Sequence, residues 1–221
     1  MKKKTCLLGI MLALLAAFNL STGWAAGMQD DVDQAISIFT RFNEMPEQGI
    51  PKAVLKDARG LAILTVAKAG FIVSGRGGSG VVVARTGKGW SPPSAIATGG
   101  AGFGLQIGAQ VSEFVLVLNT DAAVKAFSRE GNVSLGTDLS VAAGPVGRSI
   151  GAQVVPTAAV YTYSRSQGLF AGISLEGTVI GTRKELNAEY YGRPVTAEQI
   201  LSGKIKAPAG AKKLQRVLAK H

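Results

Sequence analysis

The 221 residues carry 24 lysines and arginines against 14 acids, a formal charge of +10, with one cysteine and one histidine. A lone cysteine excludes an intrachain disulfide and a Cys-ligated structural metal. The single histidine, His221, stands at the chain end with nothing after it to hold the ring, which argues against a Ser-His-Asp or Cys-His arrangement and a histidine-rich metal centre.

The chain opens Met1-Lys2-Lys3-Lys4, runs apolar from Cys6 to Phe18, turns polar at Asn19-Leu20-Ser21-Thr22 and reaches small residues at Gly23-Trp24-Ala25-Ala26. This pattern predicts a secretory signal peptide over residues 1–25, because the apolar run is shorter than the roughly 20 residues a membrane span needs. Cleavage after Ala25 places Gly23 three residues back, whereas cleavage after Ala26 would place Trp24 there. The lipoprotein alternative fits poorly, since Cys6 precedes the apolar run instead of following it. Losing the leader removes Lys2, Lys3 and Lys4 from the 24 cations and none of the 14 acids, leaving a formal charge of +7. Residues 26–221 then form a single domain of roughly 195 residues, enough for a core of its own. Its positive charge calls for an anionic partner such as phospholipid or nucleic acid, or is only a soluble basic surface.

From Met28 to Met45 the apolar positions Met28, Val32, Ile36, Phe39 and Phe42 recur every three or four residues, and Asp30, Asp31 and Asp33 stand near the start. The spacing predicts an amphipathic helix with acids at its positive end. Pro46 and Gly49 end it, Pro51 opens a short second helix through Asp57, and Gly60 closes that one. Three strand-like runs follow, Leu61 to Val66, Phe71 to Ser74 and Gly80 to Arg85, with glycine turns between them. Gly75-x-Gly77-x-x-Gly80 has the letters of a dinucleotide fingerprint, but Val81-Val82-Val83 follows where that motif needs a helix, so the glycines read as turn and bulge residues. Trp90-Ser91-Pro92-Pro93-Ser94 is a rigid corner, with Trp90 as its anchor over the core.

Beyond the corner, Gly100, Gly102, Gly104 and Gly108 share one bare strand face, which suits a sharply bent sheet or a close backbone contact. Phe114 to Leu118 reads as a strand buried on both faces, and Thr120 or Asp121 caps a helix ending near Phe127. Ile107-Gly108-Ala109-Gln110-Val111 recurs as Ile150-Gly151-Ala152-Gln153-Val154, a duplication or a coincidence of Gly-rich and Ala-rich sequence. Strands around Leu139 to Ala143, Ala158 to Tyr163, Leu169 to Glu176 and Thr178 to Thr182 continue one antiparallel system. Thr196-x-x-Gln199 has capping-box spacing for a short helix stopped by Gly203. The tail from Ala211 to Ala219 is a basic amphipathic helix, with Leu214, Val217 and Leu218 on one side and Lys212, Arg216 and Lys220 on another. The resulting fold class is α+β, a strongly curved antiparallel β-sheet or barrel flanked by N- and C-terminal helices.

Pieces along nearly the whole chain past residue 50 resemble the SYLF family of lipid-binding domains. They are Ile50-Pro51, Ala58-Arg59-Gly60-Leu61-Ala62, Lys68-Ala69-Gly70-Phe71, Ser74-Gly75-Arg76-Gly77-Gly78-Ser79-Gly80, Trp90-Ser91-Pro92-Pro93-Ser94, Gly144-Pro145-Val146-Gly147-Arg148, Tyr163-Ser164-Arg165-Ser166-Gln167-Gly168-Leu169-Phe170, Leu175-Glu176-Gly177 and Tyr190-Tyr191-Gly192. The resemblance implies phospholipid binding, with an N-terminal amphipathic segment and basic residues involved, and an association with actin in fungal and animal members. Here the first helix opens acidic and a secretory leader precedes it. A periplasmic or otherwise envelope-associated protein, secreted across the inner membrane, would not meet cytosolic actin, so actin is an unlikely partner.

The expected function is that of a non-enzymatic phospholipid-binding protein of the cell envelope, without cofactor or metal. Lys68, Arg76, Arg85 and Arg148 beside glycine turns are candidate head-group ligands. Lys212, Lys213, Arg216 and Lys220 form a stripe for an anionic bilayer. Glu113 and Glu176 are candidate inward acids, although an outward, solvated strand residue is the commoner case. Nucleic acid is not expected as a partner, since export makes it scarce and aromatics are not interleaved with the basic residues. The alternative is a structural envelope protein or an adaptor that binds a protein partner.

Overall fold

The computed structural model describes residues 27–45, 49–129, 131–145, 158–168, 175 and 178–221. The predicted leader, Arg148, Glu176, the strand expected over Leu169 to Glu176 and the second copy of the five-residue repeat lie outside the described residues, except Leu175.

Helix α1 (Met28–Glu44) starts where the periodicity places it, and Met28, Val32, Ala35, Ile36, Ile38, Phe39 and Phe42 are all buried along one face. Asp30 completes the first turn by accepting the Gly27 amide at 3.0 Å. Helix α2 (Lys52–Asp57) follows Pro51 as expected, but Ala58 caps it instead of Gly60, and Gly60 is the first residue of the sheet.

Between Gly60 and Gly168 the sheet departs from the sequence-based expectation. The three runs predicted as separate strands are one, β1 (Gly60–Thr86), 27 residues long. A tight turn joins it to β2 (Gly89–Trp90), which pairs back on Arg85 and Thr86. The Ser91-Pro92-Pro93 corner then reverses the chain into β3 (Ser94–Leu118), which pairs antiparallel with β1 over almost its whole length. The glycines are therefore not turns. Glycine or alanine faces glycine along the middle of this ribbon, at Ala69 to Ala109, Gly70 to Gly108, Gly75 to Ala101 and Gly77 to Gly99. One bulge interrupts the register, where Phe71 pairs with Ile107 and Ile72 with Gly104.

The bare ribbon bends until β1 lies against itself. A Cβ on Gly80 would run into the Ile63 carbonyl oxygen and sit 2.6 Å from Leu64 Cα, and one on Gly78 would meet the Thr65 carbonyl oxygen and lie 3.0 Å from Val66 Cα. The Arg85 amide continues this seam with a 2.8 Å hydrogen bond to the Arg59 carbonyl. Close backbone approach is the physical reason for glycine at 78 and 80.

Helix α3 (Asp121–Ser128) follows, capped by Thr120, whose hydroxyl accepts the Ala123 amide. Then come β4 (Asn132–Ser134), β5 (Val141–Ala143), β6 (Val160–Gly168) and β7 (Val179–Thr182). One half of β3 pairs with β6 and the other with β7, which also pairs with β4. The β5–β6 pairing is parallel, so the expected system is antiparallel except there. The result is a strongly curled sheet forming a half-barrel, flanked by helices at both ends of the chain.

Helices α4 (Lys184–Tyr191), α5 (Ala197–Leu201) and α6 (Ala209–Leu218) complete the chain. The predicted capping box forms, with the Thr196 hydroxyl accepting the Gln199 amide and Gln199 Oε1 accepting the Thr196 amide. Gly203, at φ +72°, supplies the left-handed residue that stops α5. Side chains alternate across the sheet, so it serves two cores. Leu61, Ile63, Val81, Val83, Val115 and Val117 face α1, α2, α4 and α6. Ala62, Leu64, Val82, Phe114, Leu116 and Leu118 face α3, α5 and β7.

Candidate functional site

Helix α6 carries the largest group of predicted site residues. Ala211, Leu214 and Leu218 are buried against the α1 core, so the apolar strip packs on the protein. Lys212, Lys213, Arg216 and Lys220 are all exposed. Arg216 Nε donates to the Lys212 carbonyl at 3.4 Å, which lays its side chain along the helix. The helix is pinned at its middle by Gln215, whose amide donates to the Trp90 carbonyl at 2.7 Å.

Trp90 links this helix to the strand cations. Its ring is buried at the corner, as expected, and the Arg85 guanidinium stacks over it at 4.4 Å. Arg85 Nε and Nη2 also donate to the Ala58 and Leu55 carbonyls at 3.1 and 3.0 Å, closing the end of α2. Partial burial lowers the pKa of Arg85, though such a side chain stays charged. Arg85 is thus a positioned cation with a structural task. Lys68 and Arg76 are half-buried within β1, at the register positions opposite Gln110 and Gly100, and not in turns.

The acids have structural partners as well. Glu113 points inward, against the commoner expectation, and is 9% exposed. Arg41 Nη2 and Nε donate to its two oxygens at 2.5 and 3.3 Å, tying α1 to β3. Asp31 is buried too, accepting from the Ser79 hydroxyl at 2.7 Å with Arg183 at 3.8 Å. Burial raises its pKa, and Ser79 and Arg183 offset part of that rise. The tyrosines are packing residues: Tyr163, Tyr190 and Tyr191 donate to Pro145 O, Gln29 Oε1 and Pro93 O respectively. His221 packs edge-on to Phe39 at 5.5 Å, and burial lowers its pKa, helped by Lys52 and Lys220. Among the described residues no three His, Cys, Asp or Glu side chains gather as a metal site.

Sequence reasoning missed Arg41 as the partner of Glu113, and it missed Arg59, Lys125 and Arg129, which line a cleft with Arg85. Lys125 and Arg129 were detectable in principle, as cations four residues apart at one end of a predicted helix.

Residues 99–221 match the family described as Ysc84, Las17-binding protein actin regulator. The chain belongs to the Ysc84/SYLF family. LAS seventeen-binding protein 3 of Saccharomyces cerevisiae is 52% identical over 177 residues, which cover 78% of this chain and 39% of the relative. Protein YSC84 of the same organism is 51% identical over 177 residues, covering 78% of this chain and 38% of the relative. SH3 domain-containing YSC84-like protein 1 of Homo sapiens is 46% identical over 201 residues, covering 87% of this chain and 59% of the relative. The chain thus spans from about two fifths to about three fifths of the length of these relatives. The Ysc84 match takes in most of β3 and everything after it, including the α6 stripe; Lys68, Arg76, Arg85 and Trp90 precede it. The names within the family are those of binding proteins, not of catalysts.

Proposed function

We propose that this chain is a non-enzymatic binding domain that docks a protein partner through its charged surface. The observation that carries this reading is that α1 and α6 both spend their apolar faces inside the protein, so the outer face of α6 is cationic alone. A helix lying in a bilayer needs a free apolar face to sink into the headgroup region. A folded partner with an acidic face needs only the stripe, which would steer encounter and fix register. The relatives named as LAS seventeen-binding proteins support the same reading.

Anionic phospholipid is the second reading. The observation favouring it is the grouping of four exposed cations on one helix, each contributing about 1 kcal/mol near an anionic surface. Under both readings we propose that residues 1–25 are a leader and that 26–221 work in the periplasm or elsewhere in the envelope. There the partner is an envelope component, not actin.

A photo-crosslinking residue in place of Lys213 should give a discrete protein adduct in cells. That adduct should disappear when Lys212, Arg216 and Lys220 are changed to Gln. Vesicles containing phosphatidylglycerol test the second reading. If the purified chain pellets with them in a salt-sensitive way, the Lys212→Gln, Lys213→Gln, Arg216→Gln, Lys220→Gln variant does not, and no protein adduct forms, then membrane replaces protein as the target.

A further inference from the structure

We infer that the partner inserts an acidic peptide segment into a cleft between α3, α5 and the ends of β1, on the other side of the sheet from α6. The inference rests on the partner-binding reading and supplies the chemistry of one contact. The cleft holds ≈ 360 Å³, and Arg59, Arg85, Lys125 and Arg129 line it.

These cations are placed by the fold. The amide of Arg85 bonds the carbonyl of Arg59 at 2.8 Å, so two arginines leave the seam of β1 as neighbours. Trp90 and the Leu55 and Ala58 carbonyls fix the Arg85 guanidinium before any ligand arrives, which lowers the ordering cost of binding. Lys125 and Arg129 stand about one helical turn apart at the end of α3. Among the described residues neither forms an ion pair.

Two acids share the lining, Asp121 and Glu198, and they decide the occupant. Asp121 reaches Arg59 only at 3.8 Å, with its side chain 90% exposed. A flat anionic bilayer pressed onto this surface would meet both carboxylates as well as the cations. A peptide can set its own carboxylates on Arg85, Lys125 and Arg129 and turn a lysine or arginine toward Asp121 and Glu198. Val124 and Leu201 give the segment an apolar wall to lie against.

The probe is a short labelled peptide of Glu and Ser with one central Lys, read by fluorescence anisotropy against the full chain. Lys125→Gln with Arg129→Gln should weaken binding about tenfold or more. The four-residue Gln variant of α6 should bind the peptide as the parent does. Both cleft positions are exposed, so thermal melting checks that the fold is kept. Lys125→Glu with Arg129→Glu should turn the preference toward a peptide of Lys and Ser. Unchanged Glu-peptide binding in the Gln pair overturns the cleft inference; if the Lys213 adduct still forms, the partner-binding reading stands without it. If the Gln pair instead loses pelleting with phosphatidylglycerol vesicles and leaves peptide binding unchanged, the cleft is a membrane site and the inference falls.

Discussion

A single methyl group decides whether β1 can lie against itself. Gly80→Ala would drive a Cβ into the Ile63 carbonyl and the Leu64 backbone, and neither is a flexible side-chain end that could swing aside. We expect a loss of about 3 kcal/mol or more, read as a lower urea midpoint. Gly75→Ala is the control: no atom lies within 4 Å of its Cβ and its φ is not positive, so stability should hold or rise by about 0.5 kcal/mol. The two glycines are the same letter five residues apart. That a close contact occurs somewhere in this stretch was legible; which glycine makes it was not, because the contact is with residues 63–66. Asp31 gives a second residue-scale outcome. Burial raises its carboxyl above the ordinary 3.8, so the folded chain holds a proton there at pH values where the unfolded chain has released it. Stability from this group therefore increases as pH falls from above the raised value toward 3.8. Asp31→Asn, which mimics the protonated form, should be more stable than the parent at neutral pH. In urea titrations that advantage should shrink as pH falls toward 3.8; an advantage that is constant with pH would mean the carboxyl is not the source.

The helices were legible because their signals are local. Caps at Thr120 and Thr196 and the three-or-four spacing of Met28, Val32, Ile36, Phe39 and Phe42 need no partner to be read. The long ribbon was not, since glycine clusters ordinarily punctuate strands and strands of five or six residues are the norm. A signal against turns was nevertheless present: from Gly60 to Thr86 and from Ser94 to Leu118 there is no Pro, Asn or Asp, the residues that would have supported turns in company with glycine. Continuous pairing between two such strands then holds both extended. The price of a ribbon this bare is that it buries little side-chain surface at its middle, so α1 must cover the curled sheet nearer its ends. Phe39 is 1% exposed at the centre of that contact. Phe39→Asp should cost more than about 4 kcal/mol, combining a lost aromatic with a buried charge. A melting temperature equal to that of the parent would show that α1 is not docked.

The candidate surfaces differ in how far the sequence reveals them. The α6 stripe follows from spacing within nine residues, whereas the cleft joins Arg59, Arg85, Lys125 and Glu198, which no local pattern connects. The N-terminal residues belong to a third case, legible as a leader yet lying before the first described contact. That contact is the Gly27 amide on Asp30, and every buried residue of α1 comes after it. On the proposal that the chain is exported, cleavage after Ala25 would leave Ala26-Gly27 ahead of α1 and keep this cap intact. A chain without residues 1–25 should therefore melt at the same temperature and denaturant midpoint as one that retains them. Its formal charge should be three lower, because Lys2, Lys3 and Lys4 are the only ionisable side chains lost apart from the Cys6 thiol. In envelope fractions the intact mass should correspond to a chain starting at Ala26. A protein recovered there with a lipid on Cys6, or found only in the cytosol with residues 1–25 attached, would overturn the export proposal and restore cytosolic partners to consideration.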